Sequence, residues 1–191
     1  ENDIVTISLP NTPEAVYLFY AMSKIGAIAN MVDPRTSVEG LKNYIEEVES
    51  DLVIIVDSCY NKVKKLRKES VVKQIVAVSP AESLPFGLKI GYKTKEIINN
   101  LKNPKEKIVL EDGTMNWSQF ITNGAEYRIN TEAEFKNNRP LAIEHTGGTT
   151  GVPKGVVLSN ENINAVALQS VLTGIDMQRE HNWLDIMPTF I

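Results

Sequence analysis

The run Leu52–Val56, "LVIIV", is apolar at every position and too short for a helix. A short run with no polar alternation reads as a strand covered on both faces, the usual condition inside a parallel sheet. Asp3–Leu9, Ala27–Val32 and Gln74–Val78 read as strands too, and the segments between them have helical spacing. After the first strand, Asn11 or Thr12 can cap a helix, Pro13 enters its first turn and Glu14 follows. Ala15, Leu18, Phe19, Met22 and Ile25 then recur on one face. After the second, Thr36 and Glu39 have capping-box spacing, and Val38, Leu41, Ile45 and Val48 line one side. A further helix is expected over Tyr60–Glu69. Strands alternating with helices predict an α/β fold, a mainly parallel sheet flanked by helices.

From Ser79 to Asn138 this pattern loosens into Pro, Gly and Lys among isolated hydrophobics. Short helices near Lys95–Leu101 and Trp117–Asn123, joined by loops, are expected there. Regular structure resumes with a strand at Pro140–His145, a Gly/Thr loop, a strand at Gly155–Ser159 and a helix capped by Asn160. Ile163, Val166, Ala167 and Ser170 form one stripe of that helix. The chain therefore divides into a βαβ core over 1–78, a loosely structured connector over 79–138 and a strand–loop–strand–helix unit over 139–191. It opens on "ENDIVTISLP" without Met and closes on the apolar "LDIMPTFI", which predicts a fragment of a larger domain.

Composition narrows the function classes. Twenty basic residues against 24 acidic ones give a net charge of -4, so there is no basic excess of the kind that neutralises nucleic-acid phosphates. Cys59 stands alone and cannot form an internal disulfide. His145 and His181, without a cysteine pair, give no familiar zinc site. No apolar run reaches the roughly 20 residues of a membrane span and no signal peptide opens the chain, so a reduced, cytoplasmic setting is expected.

The densest chemistry lies in "EHTGGTTGVPKGVV", Glu144–Val157. Glycine loses more conformational freedom on folding than any other residue, so a Gly-rich loop needs a compensating role. Glycines let backbone N–H groups turn inward and approach an anion closely. Threonine hydroxyls add hydrogen bonds or reach a phosphate-borne magnesium ion, and Lys154 adds a mobile positive charge. Polyphosphate suits this chemistry. A Walker-type loop does not, because Pro153 precedes Lys154, Gly155 follows it, and the next segment reads as a strand. The dinucleotide pattern G-x-G-x-x-G is absent from the loop. A Gly-rich turn without a ligand is the plain alternative.

"TGGTTGVPKG", Thr146–Gly155, closely resembles the phosphate-binding signature of adenylate-forming enzymes, S/T-S/G-G-T/S-T-G-x-P-K-G. "LPNTPEAVYLFYAMSKIGAIANMVDP" (Leu9–Pro34), "VEGLKNYIEEVESDLVIIVD" and "GVVLSNENI" are similar to the family's flanking segments. The resemblance implies a partial large N-terminal domain of such an enzyme, most like an acyl-CoA synthetase. It implies a two-step ligase, in which a carboxylate, a fatty acid as first reading, attacks ATP to give an acyl-adenylate and coenzyme A then displaces AMP. By position, Thr146, Thr149 and Thr150 would offer hydroxyls, Gly147, Gly148, Gly151 and Gly155 backbone amides, and Lys154 the catalytic loop charge. Thr146 would also reach Mg.

Gly147 stands where serine is common, and Asn160 where histidine is usual. Ile191 occupies the histidine position of P-x-F-H, beside the acyl pocket, and suits an aliphatic substrate. The adenine, ribose and catalytic-lysine motifs of the family are not in the chain, so the fragment itself is expected to be inactive and prone to self-association. A peptide-synthetase type of adenylation domain and a non-catalytic phosphate-binding module are the alternatives.

Other residues have plainer readings. His145 could orient a phosphate or the acyl carboxylate, or merely fill the strand end. Cys59 reads as an inert small residue, and "KVKKLRKE", Lys62–Glu69, as a solvated helix face rather than a membrane patch. "SLPFGLKIGY", Ser83–Tyr92, is expected to pack under its own loop, with a bilayer or a partner as the alternative.

Overall fold

The structure is a computed structural model that describes residues 2–102, 110–127, 132–147, 154–174, 178, 180, 182 and 187–190. The described strands are β1 (Ile4–Ser8), β2 (Ile28–Met31), β3 (Leu52–Val56), β4 (Gln74–Val78), β5 (Thr114–Asn116), β6 (Pro140–Thr146) and β7 (Lys154–Ser159). They form one seven-stranded sheet in the order β5-β4-β3-β1-β2-β6-β7. Every neighbouring pair is parallel except β6–β7, which is antiparallel. The described helices are α1 (Pro13–Ile25), α2 (Val38–Glu47), α3 (Tyr60–Val63), α4 (Leu66–Glu69), α5 (Phe86–Lys102), α6 (Trp117–Gly124) and α7 (Asn160–Leu172).

β3 shows how the apolar runs fill two layers, because successive side chains point to opposite faces. Ile54 and Val56 join Ala15, Leu18 and Met22 of α1, with Trp117 and Phe120 of α6 against the same cluster. Val53 and Ile55 join Leu41 and Ile45 of α2, Tyr60 and Val63 of α3 and Leu66 of α4. Each Val, Leu, Ile or Met side chain among these contributes about 1.5–3 kcal/mol when fully buried. α1 ends where Gly26 adopts φ 72°, a left-handed cap that returns its N–H to the Met22 carbonyl.

Several expectations shift. Ser37, not Thr36, caps α2, its Oγ accepting from the Gly40 N–H at 3.1 Å. Ser37 is the extended residue before the helix, whereas the Thr36 N–H turns back to the Asp33 carbonyl. Ser159, not Asn160, caps α7, and Asn162 completes the box. The last residue of β7 is already extended, as a cap requires. Tyr60–Glu69 is not one helix but two short ones, preceded by a 3₁₀ turn at Asp57–Cys59. Ile25, at the end of α1, stays exposed.

The stretch 79–138 is more regular than a connector. α5 runs for 17 residues, well beyond Lys95–Leu101. β5 pairs with β4 at the sheet edge, and Asn116 then caps α6 through a box with Gln119. A three-residue strand is too short to show periodicity, so β5 was invisible as a pattern. Phe86, Leu88, Ile90 and Tyr92 are exposed rather than packed under a loop. Lys62, Lys65 and Lys68 are solvated, as expected for that helix face.

Candidate functional site

β6 runs parallel to β2 and pairs antiparallel with β7, so β6 ends and β7 begins at the carboxyl end of the parallel strands. Ligands of open α/β sheets bind at that end. Thr146 and Lys154 are register partners at the mouth of the connection, with the Thr146 hydroxyl 3.5 Å from the Lys154 carbonyl oxygen. Thr146, Gly147, Lys154 and Gly155 are all exposed, so a ligand could reach this end of the two strands. Gly148, Thr149, Thr150 and Gly151 lie outside the described residues. Gly155 also has a packing reason to lack a side chain, since a Cβ there would meet Ile143 Cγ2 at 3.0 Å. Beside Gly147 the space is open.

The strand that leads into the loop carries two titratable side chains on opposite faces. His145 stacks on Tyr44 of α2, ring centroids 3.9 Å apart, and its Nε2 lies 2.7 Å from Asn30 Oδ1. Asn30 donates its amide to Thr6 Oγ1 at 3.1 Å and towards the Tyr44 carbonyl at 3.5 Å. A carbonyl only accepts, so the Asn30 oxygen must face the ring, and Nε2 of His145 carries the proton. Burial holds the imidazole below its ordinary range, against the opposing pull of Glu47. Nδ1 is thus a buried acceptor with no partner among the described residues. The imidazole is held between Tyr44 and Asn30, and its lowered pKa favours the neutral form.

Glu144 alternates with His145 and shares the face of its register partner Met31. Burial pushes its carboxyl up to about 7, and Oε2 finds no partner among the described residues. Sequence reasoning passed over Glu144, and also over Asn30, although one amide inside an apolar strand was the available signal.

Asn11 was missed as well. Thr12 caps α1, which frees Asn11 to donate from Nδ2 to the Met187 carbonyl at 2.7 Å and to accept from the Thr189 N–H at 3.0 Å. This clamp holds residues 187–190 beside the carboxyl end of β1, with Phe190 buried in the core. Ile191 lies outside the described residues. Cys59 is half-buried, its Sγ 3.7 Å from the Pro34 carbonyl. It lines a pocket of about 80 Å³ with Ser8, Arg35 and Lys62, too small for a nucleotide.

Among the described residues no group of three or more His, Cys, Asp or Glu could hold a metal ion. Among the described residues the oxygen side chain at the loop mouth is that of Thr146, which fits a magnesium ion carried in by phosphates rather than one held by protein.

A model of the AMP-binding enzyme family matches residues 1–191. The chain belongs to the AMP-binding enzyme family. It is 28% identical over 169 residues to the long-chain-fatty-acid–CoA ligase of Bacillus subtilis, covering 86% of this chain and 29% of that protein. It is also 31% identical over 156 residues to the acetyl-coenzyme A synthetase of Wolinella succinogenes, covering 82% and 22%. A 4-coumarate–CoA ligase of Dictyostelium discoideum, described as probable, aligns with 100% of the chain at 28% identity and is covered for 32% of its own length. The chain thus spans a third or less of these relatives. Among solved structures, the acetoacetyl-CoA synthetase from Streptomyces lividans superposes with a TM-score of 0.64 at 20% identity, over 89% of this chain and 24% of that one. An anthranilate CoA ligase in complex with anthranoyl-AMP gives a TM-score of 0.63 at 15% identity, over 87% and 27%. These superpositions show that the α/β fold is the one found in CoA ligases.

Proposed function

We propose that the protein containing this chain is an ATP-dependent acyl-CoA ligase, and that residues 146–155 hold the β- and γ-phosphates of ATP while a carboxylate attacks the α-phosphate. One observation supports the reading: β6 ends at Thr146 and β7 begins at Lys154 at the carboxyl end of the parallel strands, where the two residues pair. In the proposed role, Thr146, Thr149 and Thr150 present hydroxyls, and Gly147, Gly148, Gly151 and Gly155 present N–H groups. Lys154 meets the charge that builds on departing pyrophosphate. Donors set in place before the reaction stabilise that charge without reorganising. Magnesium, bound with ATP, would neutralise phosphate charge, and Thr146 is the residue that would touch it. The acyl-adenylate then loses AMP as the thiolate of coenzyme A forms the thioester.

A fatty acid is the proposed carboxylate. The Bacillus subtilis relative acts on long-chain fatty acids by its name, and the apolar Ile191 suits an aliphatic chain. The short segment alone is proposed to bind ATP weakly and not to turn over, because phosphate contacts open to water are screened.

The test is carboxylate-dependent ATP–pyrophosphate exchange in the longer protein. Lys154→Ala and Thr149→Val should each slow exchange about ten- to hundredfold, the equivalent of one charge-assisted hydrogen bond of about 1.5–3 kcal/mol. Melting temperature should hardly move, since Lys154 is exposed. Unchanged exchange in both variants would remove the loop from the mechanism.

A further inference from the structure

We propose that α5 is a membrane-surface helix that lays its apolar face on an anionic lipid bilayer. The inference stands apart from the ligase reading and rests on how this helix is placed and charged. From Phe86 to Asn99 every residue except Lys89 is exposed. Lys89 anchors the helix, its Nζ 3.4 Å from Glu82 Oε2, and Tyr92, at 37% exposure, is the least exposed of its large apolar side chains.

The rest of the helix is turned outward. At about 100° per residue, Phe86, Ile97, Ile90, Leu101 and Ile98 fall within an arc of roughly 120°. Lys89 and Tyr92 lie on the opposite side, so the apolar arc points away from the body. Phe86 and Leu101, near its two ends, are 82% and 78% exposed. Thr94 falls within the arc, and its hydroxyl is satisfied by the Ile90 carbonyl at 2.9 Å, so the arc holds no charge and no open hydroxyl.

What covers such a face is answered by its borders. Lys93 flanks the arc on one side and Lys95 on the other, both exposed. In sequence the lysines continue with Lys102, Lys105 and Lys107, against Glu96 and Glu106, within a chain of net charge -4. A charge-free arc bordered by long basic side chains fits the headgroup boundary of a bilayer, where lysine stems can run along acyl chains and ammonium groups meet anionic lipids. α7 supplies the contrast. Its Val166, Leu168, Val171 and Leu172 are exposed too, but the helix carries no Lys or Arg. Apolar exposure alone does not make the pattern.

The experiment is co-sedimentation of the chain with vesicles of phosphatidylcholine, alone or mixed with phosphatidylglycerol. Binding should need the anionic lipid and weaken as salt is raised. Ile97→Glu with Leu101→Glu should weaken it by about tenfold or more, since two apolar side chains leave the interface. Lys93→Glu with Lys95→Glu should weaken it several-fold, and Leu168→Glu with Leu172→Glu in α7 should leave it unchanged. All six positions are exposed, and circular dichroism confirms the fold of each variant. As a second readout, a polarity-sensitive dye on Leu101→Cys, in a Cys59→Ser background, should shift to the blue only with anionic vesicles. No sedimentation with either vesicle, equal binding to both, or α5 variants that bind like the parent would each overturn the proposal. Absence of binding would leave the face to a protein partner instead.

Discussion

The centre of the sheet and its β6–β7 edge use similar apolar residues in opposite ways. In β3 all but Leu52 are buried, sealed between α1 on one face and α2 to α4 on the other. In β7, Val156 and Val157 are 42% and 57% exposed, and most of α7 beside it is exposed as well. Burial is therefore set by which layers cover a strand, not by the residue type. The centre is a packed frame, whereas the edge presents polar groups and open surface around a loop. Changes at the centre should cost stability, and changes at the edge should cost ligand handling.

The sharpest way to break this contrast is a matched pair of truncations. Ile54→Ala, at a side chain with no exposed surface, should cost about 2–5 kcal/mol through lost transfer energy and a residual cavity. Val157→Ala should stay within about 0.5 kcal/mol, as surface substitutions usually do. Urea unfolding measures both. Equal losses would mean that the edge is covered as the centre is, and the contrast would fail.

The same contrast explains what could be read ahead of the structure. β1 to β4 announce themselves because burial on both faces demands mostly apolar runs, of which "LVIIV" is the unbroken case. The Gly/Thr loop stands out because its composition makes no sense as packing. What stayed hidden depends on tertiary partners. β5 is three residues long and exists by pairing with β4. The cap of α2 falls on Ser37 rather than Thr36 because Ser37 is the extended residue next to the helix, one position later than spacing alone suggests. Asn11, Asn30 and Glu144 matter through neighbours distant in sequence, and only Asn30, an amide inside an apolar strand, carries a local sign of it.

A smaller effect should come from the clamp that ties residues 187–190 to the centre. Asn11→Ala removes a donor to Met187 and an acceptor for the Thr189 N–H. Two hydrogen bonds together contribute about 2 kcal/mol, and the loss should appear locally rather than in the whole fold. Hydrogen exchange at the Thr189 amide should quicken about tenfold or more, while amides of β3 keep their protection. Unchanged exchange at Thr189 would show that Phe190, not Asn11, holds the segment.

The smallest expected effect lies at Glu144, where the edge begins to be buried. Its carboxyl titrates near 7 in the folded chain against an ordinary 4.5, because burial disfavours its charged form. The unfolded chain therefore releases this proton first as pH rises. Below 4.5 both states are protonated and no penalty operates. Between 4.5 and about 7 the folded state holds the extra proton, so stability from this group falls as pH rises and is lost by about 7. Glu144 is only partly buried, and solvent screening reduces the loss to about 1 kcal/mol. Glu144→Gln keeps the shape and removes the titration, so the slope of stability against pH across this window should become less negative than in the parent. Urea unfolding at closely spaced pH values measures that slope. An identical slope in the two chains would mean that water reaches the carboxylate freely, and that the edge of the sheet is open as far down as residue 144.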